Sequence, residues 1–189
     1  MKMKIPVEVS ARHIHLSEAD MFVLFGDGYV LRKDRDLTQP SDFVAQESLT
    51  IKGKNSLENV RVVGPLRNRA QVELSITDAI SLGIEAPIRI SGDLDSSPGV
   101  VLVGPKGEVL LKEGVIIDKR HIHCATEEAK LFKLKNGQIV SVAIEGERAL
   151  TFNNVIVRVS DNYKLCMHID TDEGNAAGIN KKTEGIIIK

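Results

Sequence analysis

What this sequence lacks narrows the field first. Basic and acidic residues nearly cancel, 25 against 26 for a net charge of -1. A dedicated nucleic-acid surface would show a strong basic excess, so that class is set aside. No apolar run approaches the roughly 20 residues a membrane helix needs. The opening MKMKIPVEV has neither an apolar h-region nor a small-residue cleavage site, so it does not read as a secretory signal. Two cysteines, Cys124 and Cys166, are too few for a disulfide framework and suit a reducing compartment. There is no Walker phosphate loop, no Gly-x-Gly-x-x-Gly and no Ser or Cys in a nucleophile elbow. Disorder is not expected either, because 42% of the 189 residues are hydrophobic and net charge is low. The reading is a cytoplasmic globular protein, long enough for one large domain or two small ones, with no membrane or nucleic-acid partner.

Aromatics are scarce too: no tryptophan, two tyrosines and five phenylalanines. The pattern is carried instead by short β-branched runs closed by turn signals. It predicts strands over Ile5–Leu16, Phe43–Lys52, Asn59–Gly64, Gln71–Ile76, Pro87–Ser91 and Val100–Val103. Further strands are predicted over Glu108–Leu111, Gly114–Ile117, His121–Cys124, Gln138–Ile144, Thr151–Val159 and Lys164–Ile169, with a last one in the tail Gly185–Lys189. Gly104-Pro105-Lys106-Gly107 reads as a hairpin turn. Two short helices are predicted, Ser17 to Phe25 before Gly26, and Thr126 to Lys135 before Asn136-Gly137. Many short strands at close spacing favour barrels or sandwiches over a parallel βαβ sheet.

An internal repeat organises these elements. Arg12-His13-Ile14-His15 recurs as Arg120-His121-Ile122-His123, each copy followed by one of the predicted helices. Asn59-Val60 stands before Glu73 as Asn154-Val155 stands before His168, and Gly83-Ile84 and Gly178-Ile179 follow at equal distances. The period is too long for a solenoid. We therefore expect two related halves, residues 1–95 and 96–189, from duplication of a small β domain, with an approximate boundary and terminal strands free to swap.

Four of the five histidines lie in the two His-Ile-His triplets, and the fifth is His168. In a strand, residues i and i+2 share a face, so each triplet presents two imidazoles side by side, a clamp for a metal once a third ligand arrives. The repeat nominates that ligand: Glu73 in the first half and His168 in the second. The sets are then His13, His15 and Glu73, and His121, His123 and His168, although mixed pairing across the halves satisfies the sequence equally. Three protein ligands leave a position open, the pattern of a catalytic zinc site. Cys166 shares strand parity with His168 and is either a spare ligand or, as we favour, a small core residue like Cys124. On an extended chain Arg67, Arg69, Gln71 and Glu73 share one face. Arg69 reads as a surface residue, whereas Arg67 reads equally as a surface residue and as a clamp for an anion.

These residues resemble a known family. Val9-Ser10-Ala11-Arg12-His13-Ile14-His15-Leu16-Ser17, then Asn59 to Arg67, Gln71 to Ser75, and in the second half Arg120 to His123 and Met167 to Gly178, are similar to the PduL-type phosphotransacylases, the phosphate propanoyltransferases. The resemblance implies two related small β-barrels capped by short helices and a site with two zinc ions per chain. It also implies reversible exchange of a short acyl group, propionyl or acetyl, between CoA and inorganic phosphate, with acyl phosphate as the other product. Carried over, His13, His15 and Glu73 match the zinc that meets the CoA sulfur, and His121, His123 and His168 match the second zinc. Arg67 matches the phosphate-binding arginine, while Val9, Ser10, Ala11, Lys54, Arg61 and Asn175 match positions that hold CoA. Zinc would keep the CoA thiol as thiolate, and the second zinc would orient phosphate or polarise the carbonyl, so no protein nucleophile is required. The N-terminal microcompartment-targeting extension of many members is not seen before Val9, which favours a free cytosolic enzyme; a homodimer is the default assembly. The same ligands would also serve a two-metal hydrolase of phosphate or acyl esters, or a zinc-stabilised binding module.

Overall fold

The computed structural model describes residues 3–179 and 182–188. In chain order its elements are β1 (Met3–Val9), β2 (His13–His15), α1 (Glu18–Phe25), β3 (Lys33–Asp36), β4 (Phe43–Lys52), β5 (Ser56–Gly64), β6 (Gln71–Glu73), α2 (Ile76–Leu82) and β7 (Ile88–Arg89). They continue with β8 (Val100–Val103), β9 (Glu108–Leu111), β10 (Val115–Asp118), β11 (His121–Cys124), α3 (Thr126–Phe132), β12 (Ile139–Ile144), β13 (Leu150–Val159), β14 (Cys166–Ile169), α4 (Thr171–Ala176) and β15 (Thr183–Ile188). The fold is mainly β with four short helices. None of the helices is long and apolar enough to cross a membrane.

The chain forms two compact units. One holds residues 1–11, 38–40 and 119–189; the other holds residues 12–37 and 41–118. In the first, six strands close a barrel in the order β1-β14-β11-β13-β12-β15. Its core is Ile5, Val7, Ile122, Val142, Val155, Val157, Met167 and their neighbours. In the second, nine strands form an open, half-barrel sheet around Ile14, Leu16, Leu24, Leu49, Ile51, Val62 and Val72. The predicted strand Ile5–Leu16 is broken because its two ends have different partners. β1 pairs with β14 and β15, whereas β2 pairs with β5 and β6. Strand β3 was not predicted: Lys33-Asp34-Arg35-Asp36 has no apolar alternation, is exposed throughout and is held only as an edge beside β4.

The repeat is visible residue by residue. His13 faces Glu73 across antiparallel β2/β6, as His121 faces His168 across β11/β14. Ile14 pairs with Val62 and Ile122 with Val157, in parallel. Asn59 and Asn154 sit at matching irregularities of the β4/β5 and β12/β13 pairs with φ of 56° and 57°. Asparagine is one of the few non-glycine residues that enters this left-handed region at low cost, as a bulge demands. Helices α2 and α4 also correspond. Each starts with a capping box, Ser75 with Asp78 and Asp170 with Glu173, and each is followed by a glycine at φ 70°. In both copies the arginine before the histidine triplet pairs with the box carboxylate: Arg12 Nη1 to Asp78 Oδ1 at 2.9 Å, and Arg120 Nη1 to Glu173 Oε1 at 2.6 Å. Helix α3 stops at Phe132, three residues short of expectation. Lys133 adopts φ 52°, its N–H and that of Leu134 return to Lys130 and Ala129, and Leu134 is buried, which together make a Schellman close.

The triplets present their histidines because the isoleucine between them is anchored in the core. Ile14 and Ile122 are fully buried, on the opposite strand face from their histidine neighbours. Truncating such a side chain removes transfer energy and leaves a cavity, so Ile122→Ala should cost about 2–5 kcal/mol of stability. Denaturant unfolding monitored by circular dichroism checks this, and a loss below about 1 kcal/mol would contradict the packing described.

Candidate metal centres and the residues around them

Within the sheet unit, His13, His15 and Glu73 meet. Their donor atoms all lie within 4.8 Å of one another. His13 Nε2 is 3.1 Å from His15 Nε2 and 3.3 Å from Glu73 Oε2, and His15 Nε2 is 3.8 Å from Glu73 Oε1. Zinc bonds of about 2.0–2.2 Å in a tetrahedron imply ligand separations of roughly 3.3–3.5 Å, so the three donors already stand at nearly that spacing. His15 Nδ1 donates to the Val63 carbonyl at 3.0 Å, which leaves its Nε2 lone pair facing the cluster. Burial, then the neighbouring His13, pushes His15 down to about 3, so the ring is neutral. Burial opposes ionisation of Glu73, but His13, His15 and Arg67 outweigh it and bring the carboxyl down to about 2. A neutral imidazole and an ionised carboxylate are the states a metal takes up.

Glu73 is held by Gln71, which strand parity places on its face, and by Ser91, which no pattern singled out. Gln71 is fully buried; its Nε2 donates to Glu73 Oε1 and to Ser91 Oγ, and its Oε1 accepts from the Gly92 N–H at 2.9 Å. Ser91 Oγ donates to Glu73 Oε1 at 3.1 Å, while its backbone N–H is tied to Asp118 Oδ1. Oε1 is thereby occupied and Oε2 is turned to His13. Partners of this kind typically cost 10- to 100-fold in metal affinity when removed. Ser91→Ala and Gln71→Leu should therefore weaken zinc at this set by about that factor in a competition titration against a chromophoric chelator. Unchanged affinity in both would show that they do not orient Glu73.

Arg67 reaches the same place by a different route from the one the sequence suggests. It is not on a strand face with Glu73 but in the loop between β5 and β6, its N–H bonded to the Leu16 carbonyl at 2.8 Å. Its Nη1 donates to Ser91 Oγ at 3.0 Å, so Ser91 links the guanidinium to Glu73. One of five N–H donors is spent there, leaving the rest of the fork for an anion. Arg69 stays at the surface, paired with Asp95 and Glu113.

In the barrel unit the three histidine rings gather in a different posture. Ring centroids are 4.5 Å apart for His121 and His123, 5.3 Å for His121 and His168, and 5.1 Å for His123 and His168. The His121 and His168 planes are nearly parallel, at 17°, and among the described residues this trio is not one whose donors all fall within 4.8 Å. Ring rotation is needed to aim the three nitrogens at one point. The donor chemistry nevertheless suits a metal. His121 Nδ1 donates to the Lys119 carbonyl at 2.9 Å, leaving Nε2 a lone pair, and His123 Nδ1 is buried without a hydrogen-bond partner among the described residues. Burial, then His121 and His168, pushes His123 down to about 2. Tyr163 lies against His123 with ring centroids 4.0 Å apart, and Gln39 Nε2 lies 3.4 Å from His168 Nε2; neither carried a signal in the sequence.

The positions matched to CoA are distributed over both units. Val9 closes β1 and Ser10 follows it; Val9 leaves no room for a side chain at Gly174, and exposed Asn175 is next along α4. Ser10 N–H bonds the Ile169 carbonyl at 2.8 Å, and Ala11 is exposed. Lys54 occupies the β4/β5 turn, with its N–H on the Leu82 carbonyl at 2.7 Å. Arg61 is exposed on β5, its Nη1 on the Gln46 carbonyl at 2.8 Å. Burial pushes Cys124 up to about 11 and Cys166 up to about 12, the latter with help from Glu8, so both thiols keep their protons at neutral pH. Neither is poised as a nucleophile.

Comparison with known proteins shows the family. A family model for phosphate propanoyltransferases matches residues 6–180. A phosphate propanoyltransferase of Clostridioides difficile is 47% identical over 186 residues, covering 98% of this chain and 89% of the relative. Those of Thermotoga maritima and Salmonella arizonae are 48% and 51% identical, covering 93% and 92% of this chain and 85% and 83% of the relatives. A mainly β fold with two repeated histidine clusters thus falls in a class of acyltransferases. The chain belongs to the phosphate propanoyltransferase family.

Proposed function

We propose that this chain is a zinc-dependent phosphotransacylase that moves propionyl or acetyl between CoA and inorganic phosphate, with one zinc at His13, His15 and Glu73 and a second at His121, His123 and His168. The observation that carries the reading is the trio of two histidines and a carboxylate with a guanidinium beside it, linked through Ser91. Zinc held there supplies Lewis acidity and keeps a thiol sulfur as thiolate at neutral pH. Arg67 binds the transferred phosphate with its unspent N–H donors and offsets its charge. Ser91 holds Arg67 and Glu73 in fixed relation, and Gln71 keeps Glu73 from rotating. Val9, Ser10, Ala11, Lys54, Arg61 and Asn175 contact CoA. Two buried, protonated thiols agree with direct transfer without an acyl-enzyme. The test is turnover of propionyl phosphate and acetyl phosphate with and without CoA. Acyl-CoA formation strictly dependent on CoA supports the reading. CoA-independent hydrolysis would make the protein a two-metal hydrolase, and no turnover by the zinc-loaded chain would leave a binding module.

A further inference from the structure

A second convergence of ligating side chains exists in the barrel unit, and it shares only His168 with the proposed transfer site. Glu8, Cys166 and His168 bring a carboxylate, a thiol and an imidazole together, with donor atoms all within 4.8 Å of one another. The fold sets this up: Glu8 and His168 are partners across parallel β1/β14, and Cys166 precedes His168 by two residues, so it shares that strand face. In the repeat, Cys166 corresponds to Gln71. Gln71 orients its neighbouring ligand by strong amide hydrogen bonds, whereas a thiol is only a weak donor and cannot replace it in that role. A buried thiol beside a carboxylate and an imidazole is instead a donor set for a borderline or soft cation.

We propose that Glu8, Cys166 and His168 bind a thiophilic divalent cation, zinc in excess or cadmium, and that an ion bound there takes His168 away from His121 and His123. The second clause rests on the reading of His168 as a ligand in the transfer site; the first does not. A neutral imidazole has a single lone pair, so His168 serves one ion at a time and the two positions compete. Glu8 now accepts from Thr38 Oγ1 at 2.6 Å and is paired with Lys182. The Lys182 side chain is 72% exposed, so its ammonium can withdraw into water, while the Glu8 side chain, 16% exposed, stays in place to meet the incoming ion. On binding, the Cys166 S–H bond breaks and its proton goes to solvent, a sulfur–metal bond forms, and the Lys182 ammonium leaves the carboxylate. Bond lengths of about 2.3 Å to sulfur and 2.0–2.2 Å to nitrogen and oxygen require the three donors to draw together from their present spacing, a side-chain adjustment.

The experiment is a cadmium titration of the zinc-loaded protein, following cadmium–thiolate absorption in the ultraviolet together with the acyl-transfer rate. We expect a thiolate band that saturates with one cadmium per chain and one proton released. Cys166→Ser should abolish it, Cys124→Ser should keep it, and Glu8→Gln should weaken it at least tenfold. Lys182→Ala removes the competing ammonium and should tighten cadmium severalfold. Inhibition should track the band, with half-inhibition at a concentration at least ten times higher in Cys166→Ser, each variant measured against its own uninhibited rate. The His121→Ala variant should retain the band, which separates this site from the transfer site: the band there survives even where the functional reading fails. No band in the unsubstituted protein, a band that persists in Cys166→Ser, or one indifferent to both Glu8→Gln and His168→Ala would overturn the site. A saturating band without inhibition would overturn the competition.

Discussion

His13→Ala should lower kcat by roughly a thousandfold or more while the fold is retained. His13 contributes one of three donors at spacings of 3.1 and 3.3 Å to the others, so its removal opens the set and leaves two ligands. Lewis-acid stabilisation supplies several kcal/mol of transition-state charge stabilisation, and about 4 kcal/mol corresponds to three powers of ten in rate. The side chain faces the cluster while Ile14 carries the packing, so the circular dichroism spectrum should be unchanged. Zinc content should fall by about one per chain. A variant with near-normal kcat would remove this set from the chemistry.

Arg67 should show the second largest effect, and of a different kind. Losing a charge-assisted hydrogen bond costs on the order of 1.5–3 kcal/mol, or roughly ten- to a hundredfold in kcat/KM. Arg67→Ala and Arg67→Lys should both raise KM for phosphate far more than KM for acyl-CoA, because lysine offers a point charge and not a planar fork. Zinc content should hold, since Arg67 is not a ligand and its hydrogen-bond link to Glu73 runs through Ser91. Normal phosphate dependence in Arg67→Ala, or a defect confined to CoA, would move Arg67 away from the phosphate.

The repeated histidine triplets were legible because strand parity is a local rule and duplication wrote it twice, so both the paired imidazoles and the partner positions 73 and 168 emerge from spacing alone. Strands with β-branched alternation, such as β4, β8, β9 and β11, were equally plain. Helix α2 escaped because the predicted strand Gln71–Ile76 ran over its start, and α4 because Thr171 to Ala176 carries no apolar residue but Ala176 to mark a helical face. Their capping boxes, Ser75 with Asp78 and Asp170 with Glu173, were nonetheless in the text and mark both starts. The break between β1 and β2 was not legible, since it is made by tertiary pairing and not by any residue between Ser10 and Arg12. Parity set Gln71 beside Glu73, but the other groups that hold the sites, Ser91, Gln39 and Tyr163, are single polar side chains delivered by separate segments, and no periodicity can announce such partners. Arg67 shows the difference well. The parity argument placed it near Glu73 for a reason the loop does not use, and the contact through Ser91 is visible only in three dimensions.

The most direct test of the account is metal analysis by elemental mass spectrometry of protein purified without chelator, with chelated and zinc-restored samples assayed alongside for CoA-dependent turnover of propionyl phosphate. The account predicts about two zinc per chain, about one in both His13→Ala and His121→Ala, loss of turnover on chelation and recovery with zinc. Full turnover by metal-free protein, or a single ion in the unsubstituted protein that either substitution removes entirely, would contradict it.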